Sequence, residues 1–208
     1  MKKIITVAFV GRSGSGKSLA VKYFQSKGVS SIDCDILARR VVDTGSSCLI
    51  ELTMEFGDDI LNPDGTLNRT ALAAKAFNNM DSKTKLDSIT HPYILLELQN
   101  ELDILTEKGE KLCVIEAPAL FESGLNENVD KIVLISSEYE NLVNRITSRD
   151  EIDIKQAKTR IDIQLDDETL VNKVDFVIYN NGSDQDFFSS LDILYENIQE
   201  YICITDKE

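Results

Sequence analysis

Residues 11–18 read G-R-S-G-S-G-K-S and match the pattern G-x-x-x-x-G-K-[ST], a loop that wraps phosphate groups between a strand and a helix. Its glycines let the backbone approach an anion closely, because they carry no Cβ. The turned backbone then directs several N–H groups at the phosphates. In this pattern Lys17 reaches the terminal phosphates and the hydroxyl of Ser18 is a ligand of Mg²⁺. The loop therefore predicts a nucleotide-binding α/β fold.

The residues on either side of the loop favour the same fold. Residues 4–10 form an apolar, largely β-branched run that predicts a buried strand. After the loop, apolar residues recur at helical spacing and predict a helix whose N-terminus attracts negative charge. The residues expected to bind the nucleotide are Gly11, Ser13, Gly14, Ser15, Gly16, Lys17, Ser18 and Leu19.

Further apolar runs of strand type predict the rest of a sheet. They are residues 29–32, 112–115, 132–135 and 176–179, with helical patterns between them. Together with the first strand, they predict one α/β domain over residues 1–208, built on a five-stranded, mostly parallel sheet. Two helical stretches interrupt the alternation. We expect residues 45–110 to form a subdomain for a second substrate and residues 138–173 to form a lid.

Three carboxylates stand where predicted strands end. Ligands of parallel sheets bind beyond the carboxyl ends of the strands. Asp33 and Asp35 are therefore candidates to accept the proton of an attacking hydroxyl or to help hold Mg²⁺. Glu116 is a candidate metal ligand together with Ser18. The alternative is structural, since an aspartate at this place also caps turns and helices.

Arg145 and Arg149 share one face of a helical pattern in the predicted lid. Arginine stabilises the charge that spreads over a transferred phosphoryl group, although a single arginine also forms ordinary surface ion pairs. Pro92 suits the first position of a helix, so the sequence predicts a helix that begins near residue 91. His91 is then a residue at a helix start rather than a catalytic base.

Composition narrows the range of partners. The net charge of −14 argues against a protein that coats nucleic acid, which needs a basic face. The four cysteines form no CxxC pair and His91 is the single histidine, so we do not expect a zinc site. This use of cysteine suits a protein of the reducing cytoplasm. No apolar run approaches the length of a membrane span. We expect small-molecule substrates, with no nucleic acid and no membrane as partners.

The ordered motifs resemble those of the dephospho-CoA kinase family, from the first predicted strand to residue 183. They are Gly14-Ser15-Gly16-Lys17-Ser18, Asp33-Cys34-Asp35-Ile36-Leu37-Ala38-Arg39, Asp64-Gly65-Thr66-Leu67-Asn68-Arg69, His91-Pro92, Phe121-Glu122-Ser123-Gly124-Leu125, Arg145, Arg149-Asp150, Arg160, Gln164 and Asn180-x-Gly182. The start of the loop departs from this pattern: the family has Thr-Gly-Gly-Ile where this chain has Val10-Gly11-Arg12-Ser13.

The resemblance implies transfer of the γ-phosphoryl group of ATP, with Mg²⁺, to the ribose 3′-hydroxyl of dephospho-CoA. It implies Asp33 as the general base, with Lys17, Arg149 and Arg145 as catalytic cations and Asn180 as a nucleotide contact. The residues that it implies for the acceptor are Asp35, Arg39, His91, Phe121 and Glu122.

Two other functions stay open from the residues themselves. The unusual start of the loop favours a kinase for another nucleoside or small metabolite. A nucleotide-binding regulator without catalysis is the second. In every case we expect a cytoplasmic monomer or weak homo-oligomer.

Overall fold

The computed structural model describes residues 4–117, 120–121 and 123–205. In these ranges, strands and helices alternate as in an α/β protein. The strands are β1 Ile5–Val10, β2 Ser30–Asp33, β3 Leu112–Glu116, β4 Lys131–Ser136 and β5 Phe176–Tyr179. The helices are α1 Lys17–Ser26, α2 Cys34–Arg40, α3 Ser47–Phe56, α4 Arg69–Ala76, α5 Met80–Glu107, α6 Tyr139–Asp150, α7 Ile154–Asp162, α8 Asp167–Val171 and α9 Asp184–Thr205.

The strands form one five-stranded sheet in the order β2-β3-β1-β4-β5. The central strand β1 pairs in parallel with β3 and with β4, and β4 pairs in parallel with β5. Every residue of β1 is buried, as expected for a strand covered on both faces. The phosphate loop follows β1 and Glu116 ends β3, so both lie at the carboxyl edge of the sheet. The predicted fold with a five-stranded parallel sheet is confirmed.

The chain divides into two compact units, of which the first comprises Met1–Ile32 and Ile104–Glu208. Its core lies between the sheet and the helices α1 and α9. Phe9, Phe24 and Phe187 are among its fully buried side chains. The rings of Phe9 and Phe24 meet edge to face with centroids 5.3 Å apart. Such a pair contributes about 0.5–1.5 kcal/mol of stabilisation beyond that of the area it buries. It packs α1, the helix after the phosphate loop, against β1, the strand before it.

The second unit, Asp33–Asp103, has a hydrophobic core of its own. Cys48, Leu52 and Ile60 are fully buried there. This unit overlaps most of the segment 45–110, and its role in binding an acceptor stays a prediction.

The prediction that a helix begins near His91-Pro92 is wrong. Helix α5 starts at Met80, and Pro92 lies inside it. A proline there forfeits one backbone hydrogen bond, but its fixed φ is compatible with a helix. The preceding turns are held by packing, because Leu86 and Ile89 contact the core of the unit. That tertiary packing, which periodicity alone does not show, extends the helix through the proline.

Residues 138–173 are helical as predicted, with α6, α7 and α8 in succession. Helices α6 and α7 enclose a small core of their own, in which Leu142, Ile146, Ala157 and Ile161 are fully buried. A Gln156–Asp153 capping box starts α7. The segment therefore folds as a helical pair, and its movement as a lid stays a prediction.

The cysteines Cys34, Cys48, Cys113 and Cys203 are free thiols. Burial raises the pKa of Cys34 to about 12 and that of Cys48 to about 11. These thiols stay protonated and pack as small apolar side chains. Across the described ranges, histidine, cysteine and acidic side chains form no group of three or more that could hold a metal ion. In the same ranges, we find no helix with the length and apolar character that a membrane crossing needs.

Candidate active site

The phosphate loop needs glycine at defined positions for two reasons. Gly11, Gly14 and Gly16 have φ values of 138°, 80° and 110°, which side-chain-bearing residues rarely adopt. Neighbouring atoms also leave no space: a Cβ on Gly11 would overlap the carbonyl oxygen of Ile135, and one on Gly16 would overlap the amide of Asn180. The loop is therefore fixed by backbone conformation and by close approach to β4 and to the residue after β5.

We expect Gly11→Ala to lower the free energy of unfolding by about 1–3 kcal/mol and to weaken ATP binding, because the loop must shift to relieve strain and overlap. Urea unfolding and calorimetric ATP titration measure the two effects. Gly28→Ala is the matched control, since Gly28 also has a positive φ of 84° but nothing lies within 4 Å of an added Cβ. Equal weakening of ATP binding in both variants would contradict the importance of the close approach at Gly11.

Lys17 and Ser18 begin α1 and are the two loop residues whose side chains the sequence pattern assigns to phosphate and to Mg²⁺. The Nζ of Lys17 donates to the carbonyl oxygens of Gly11 and Arg12 at 2.7 and 3.0 Å. The hydroxyl of Ser18 donates to Oε1 of Glu116 at 2.6 Å. The structure thus brings together the two predicted metal ligands, although they are far apart in the sequence. A hydroxyl and a carboxylate are oxygen donors of the kind that Mg²⁺ prefers.

Asn180 and Arg145 support the phosphate loop through hydrogen bonds to its backbone carbonyl oxygens. The buried side-chain amide of Asn180 donates to the carbonyl oxygen of Ser15 at 2.8 Å. Arg145 donates to the backbone carbonyl of Asn180 at 3.0 Å and, through Nη1, to Gly14 O and Ser137 Oγ, each at 3.2 Å. The guanidinium of Arg145, predicted to act from the lid, therefore bonds to loop and strand-end acceptors. Its geometry supports a role in shaping the loop.

The start of the loop is bonded to Gln164, between α7 and α8, and to Asp167, the first residue of α8. The N–H of Ser13 donates to Oε1 of Gln164 at 2.8 Å. The Nε of Arg12 forms an ion pair with Oδ1 of Asp167 at 3.3 Å. Ser136, the last residue of β4, donates its hydroxyl to the other carboxylate oxygen of Asp167. Two consecutive loop residues are thus tied to the predicted lid segment.

Arg149 lies on the exposed face of the helical pair and shares a carboxylate with Arg160. Its Nε and Nη2 donate to the two oxygens of Asp150 at 2.7 and 2.8 Å. Arg160 donates to Oδ2 of Asp150 at 2.7 Å. The hydrogen bond from Arg149 holds the pKa of Asp150 below its usual value, with a further contribution from the charge of Arg160. The structure therefore gathers two arginines around one anion.

Other predicted residues of the first unit contribute less directly. The N–H of Leu19 donates to the carbonyl oxygen of Gly16 at 3.0 Å, and its side chain packs against the main core. The ring of Phe121 lies 5.6 Å from Nζ of Lys173, as in a cation–π contact. Glu122 lies outside the described residues.

The predicted residues of the second unit form local arrangements. Oδ1 of Asp33 accepts from the N–H groups of Asp35 and Ile36 at 2.8 and 3.3 Å, so Asp33 caps α2. Asp35 and Arg39 are exposed and lie on one face of α2. His91 is inside α5, with Nε2 at 3.7 Å from Oδ1 of Asp87. Asp33 therefore caps a helix, which is the structural alternative considered for it. A catalytic role for the same carboxylate stays a prediction.

Sequence reasoning assigned no role to Arg12, Gln164 or Asp167. A signal existed for Arg12, since a cation at the start of a phosphate loop is notable in a chain of net charge −14. Gln164 is one of the residues that carry the family resemblance, but the sequence indicated no role for it. Nothing local points to Asp167, because its contacts are made across the fold.

Known proteins resemble this chain along most of its length. The sequence profile of the dephospho-CoA kinase family matches residues 5–186. The dephospho-CoA kinase of Corynebacterium efficiens is 36% identical over 195 residues, which cover 94% of this chain and 98% of that protein. That of Listeria innocua is 37% identical over 178 residues, covering 86% and 89%.

Solved structures agree with the sequence comparison. The dephospho-CoA kinase from Campylobacter jejuni has a TM-score of 0.70 at 29% identity, covering 94% of this chain and 97% of its own. A crystal structure from Thermus thermophilus has a TM-score of 0.79 at 27% identity, covering 94% and 98%. A shikimate kinase from Bacteroides thetaiotaomicron, with a TM-score of 0.52 at 13% identity, shares the fold alone.

Proposed function

We propose a role for each site residue of this chain, which belongs to the dephospho-CoA kinase family and carries out the final step of coenzyme A biosynthesis. The family match over residues 5–186 is the observation that carries the function. The phosphate loop, with Ser18 bonded to Glu116, supplies the local chemistry for ATP. The substrates are ATP and dephospho-CoA.

In the reaction, the ribose 3′-oxygen of dephospho-CoA forms a bond to the γ-phosphorus of ATP. The bond between that phosphorus and the β–γ bridging oxygen breaks, and ADP leaves with the electron pair. The proton of the 3′-hydroxyl passes to a carboxylate. We assign that role to Asp33, which precedes α2 and whose capping bonds use Oδ1. The proposed acceptor contacts are Asp35, Arg39, His91, Phe121 and Glu122.

Loop and lid groups stabilise the charge that the reaction redistributes. Backbone N–H groups of the loop and the ammonium of Lys17 bind phosphate oxygens. When ATP binds, Arg149 and Arg160 exchange their hydrogen bonds to the carboxylate of Asp150 for hydrogen bonds to the polyphosphate, because the polyphosphate carries more negative charge. Arg145 positions the loop through Gly14 and Asn180 rather than contacting phosphate.

Mg²⁺ fits the oxygen pair of Ser18 and Glu116. The two side chains are 2.6 Å apart at the carboxyl edge of the sheet, and a hydroxyl with an ionised carboxylate is the donor set that P-loop kinases use. When bound, Mg²⁺ neutralises charge on the β- and γ-phosphates. Glu116 and Ser18 are the residues that would hold it.

Glu116→Gln should raise the Mg²⁺ concentration for half-maximal activity by about 10- to 100-fold, because the variant keeps an acceptor for Ser18 but loses the charge. A Mg²⁺ titration of the initial rate at saturating ATP measures this shift. Glu127→Gln makes the same charge change at an exposed position and should leave the titration unchanged. A shift of equal size in the control would mean that overall charge, not Glu116, sets the Mg²⁺ requirement.

The acceptor is tested by incubating the purified protein with Mg-ATP and dephospho-CoA and following coenzyme A by mass spectrometry. Adenosine and CMP serve as alternative acceptors. We expect turnover with dephospho-CoA alone. Phosphorylation of a control acceptor without coenzyme A would refute this assignment of the acceptor, and ATP binding without any transfer would favour a regulatory protein.

We further propose that the protein works in the cytoplasm as a monomer or weak homo-oligomer. The free thiols, three of which are buried, support a reducing compartment. Analytical ultracentrifugation across a concentration range tests the oligomeric state.

A further inference from the structure

Arg12 is a charged residue of the loop, and its side chain has no part in the mechanism proposed for Lys17 and Ser18. It stands where the family pattern has glycine, in a chain with 36 acidic and 22 basic residues. Only 17% of its side chain is exposed. A buried cation costs free energy unless an anion compensates it, so its surroundings indicate what it binds.

Backbone contacts fix Arg12 at the terminal-phosphate end of the loop. Its carbonyl oxygen accepts from Nζ of Lys17 at 3.0 Å and from the N–H of Ser15 at 3.2 Å. Lys17 is the ammonium that reaches the terminal phosphates in this kind of loop. Arg12 therefore lies beside the group that contacts the transferred phosphoryl.

The protein satisfies only part of the guanidinium. Its Nε is buried and faces Oδ1 of Asp167 at 3.3 Å without a well-formed hydrogen bond. The other oxygen of Asp167 already accepts from Ser136. Among the described residues, none accepts a hydrogen bond from the terminal nitrogens of Arg12, and those nitrogens are not sealed from solvent as Nε is. Asp167 thus orients the side chain and leaves its forked donors available, the geometry with which arginine binds phosphate.

We propose that Arg12 is a further catalytic residue, whose terminal N–H groups bind the terminal phosphate of ATP, and that Asp167 is its positioning residue. The inference rests on the proposed kinase function and adds a cation that comes from the loop itself. Charge that spreads over the transferred oxygens is then met by Lys17 and Arg12 from the loop and by arginines from residues 138–173.

Nucleotide titrations without acceptor test this directly. Arg12→Gln should raise the dissociation constant for Mg-ATP by about tenfold or more and that for Mg-ADP by less than about threefold, since only ATP carries the terminal phosphate. Lys22→Gln is the control, because it removes one positive charge from an exposed position of α1. It should change both constants equally and little. Equal weakening of ATP and ADP by Arg12→Gln would overturn the proposal in favour of a purely structural ion pair.

Asp167→Asn tests the positioning role. Asparagine keeps an acceptor for Ser136 but loses the charge that orients Arg12, so ATP affinity should fall several-fold, about threefold to tenfold, with ADP affinity again nearly constant. Arg12→Lys should restore part of the discrimination between ATP and ADP. Thermal unfolding confirms that each variant is folded. An unchanged ATP-to-ADP ratio in Arg12→Gln overturns the inference, whereas wild-type protein that binds ATP and leaves dephospho-CoA unphosphorylated overturns the proposed acceptor instead.

Discussion

Asp33→Asn should lower kcat by about 10²–10⁴-fold and leave the affinity for ATP nearly unchanged. The amide cannot accept the proton of the attacking 3′-hydroxyl. It does accept hydrogen bonds, and asparagine caps helices as well as aspartate does, so the bonds to Asp35 and Ile36 at the start of α2 should survive. Steady-state kinetics with dephospho-CoA and a parallel ATP titration separate the loss of chemistry from a loss of binding.

The neighbouring carboxylate supplies the matched comparison. Asp35→Asn makes the same change two positions further along α2, where we expect an effect on the KM for dephospho-CoA rather than on kcat. Asp43→Asn, at an exposed position of the same unit, controls for charge alone. A large loss of kcat in Asp35→Asn together with near-normal turnover in Asp33→Asn would reverse the two assignments.

The second large effect is expected from Lys17→Ala, which should lower kcat/KM for ATP by about 10³-fold. The ammonium, now bonded to the carbonyls of Gly11 and Arg12, is the group that reaches the terminal phosphates. Alanine removes that charge, and both carbonyls lose the hydrogen bond from Nζ, although the carbonyl of Arg12 still accepts from the N–H of Ser15. Initial rates across a range of ATP concentrations measure the loss.

Lys22→Ala removes a lysine from an exposed position of the same helix and should keep near-normal kinetics. Hydrogen exchange of residues 11–18 shows whether Lys17→Ala also loosens the loop. If the variant retained more than about a tenth of the normal kcat/KM, the terminal phosphates would have to be stabilised mainly by the arginines.

The phosphate loop and the central strands could be predicted from the sequence because their signals are local. Residues 4–10 are apolar since β1 is buried on both faces, and Glu116 is polar because β3 ends at the ligand edge. The pairing of Ser18 with Glu116 followed from strand topology, since strand ends of a parallel sheet meet at one edge.

The start of α5 and the contacts of Arg145 could not be predicted, because they depend on tertiary packing that local sequence patterns do not show. The proline rule placed a helix start near residue 91, but Leu86 and Ile89 pack on the core of the second unit and extend α5 through Pro92. Arg145 was assigned to phosphate from its residue type and its helix. Its bonds to Gly14 and Asn180 depend on how α6 lies against the loop, which the sequence does not show.

The bond from Asn180 to Ser15 joins residues that are 165 positions apart, and that from Ser13 to Gln164 joins residues 151 apart. On the ribosome, the phosphate loop leaves the exit tunnel long before either partner has been synthesised. Until β5 is added to the sheet, the loop lacks the amide that supports its backbone. The contacts that support the loop are consequently completed only after residue 180 has been added to the nascent chain, long after the loop itself has been synthesised.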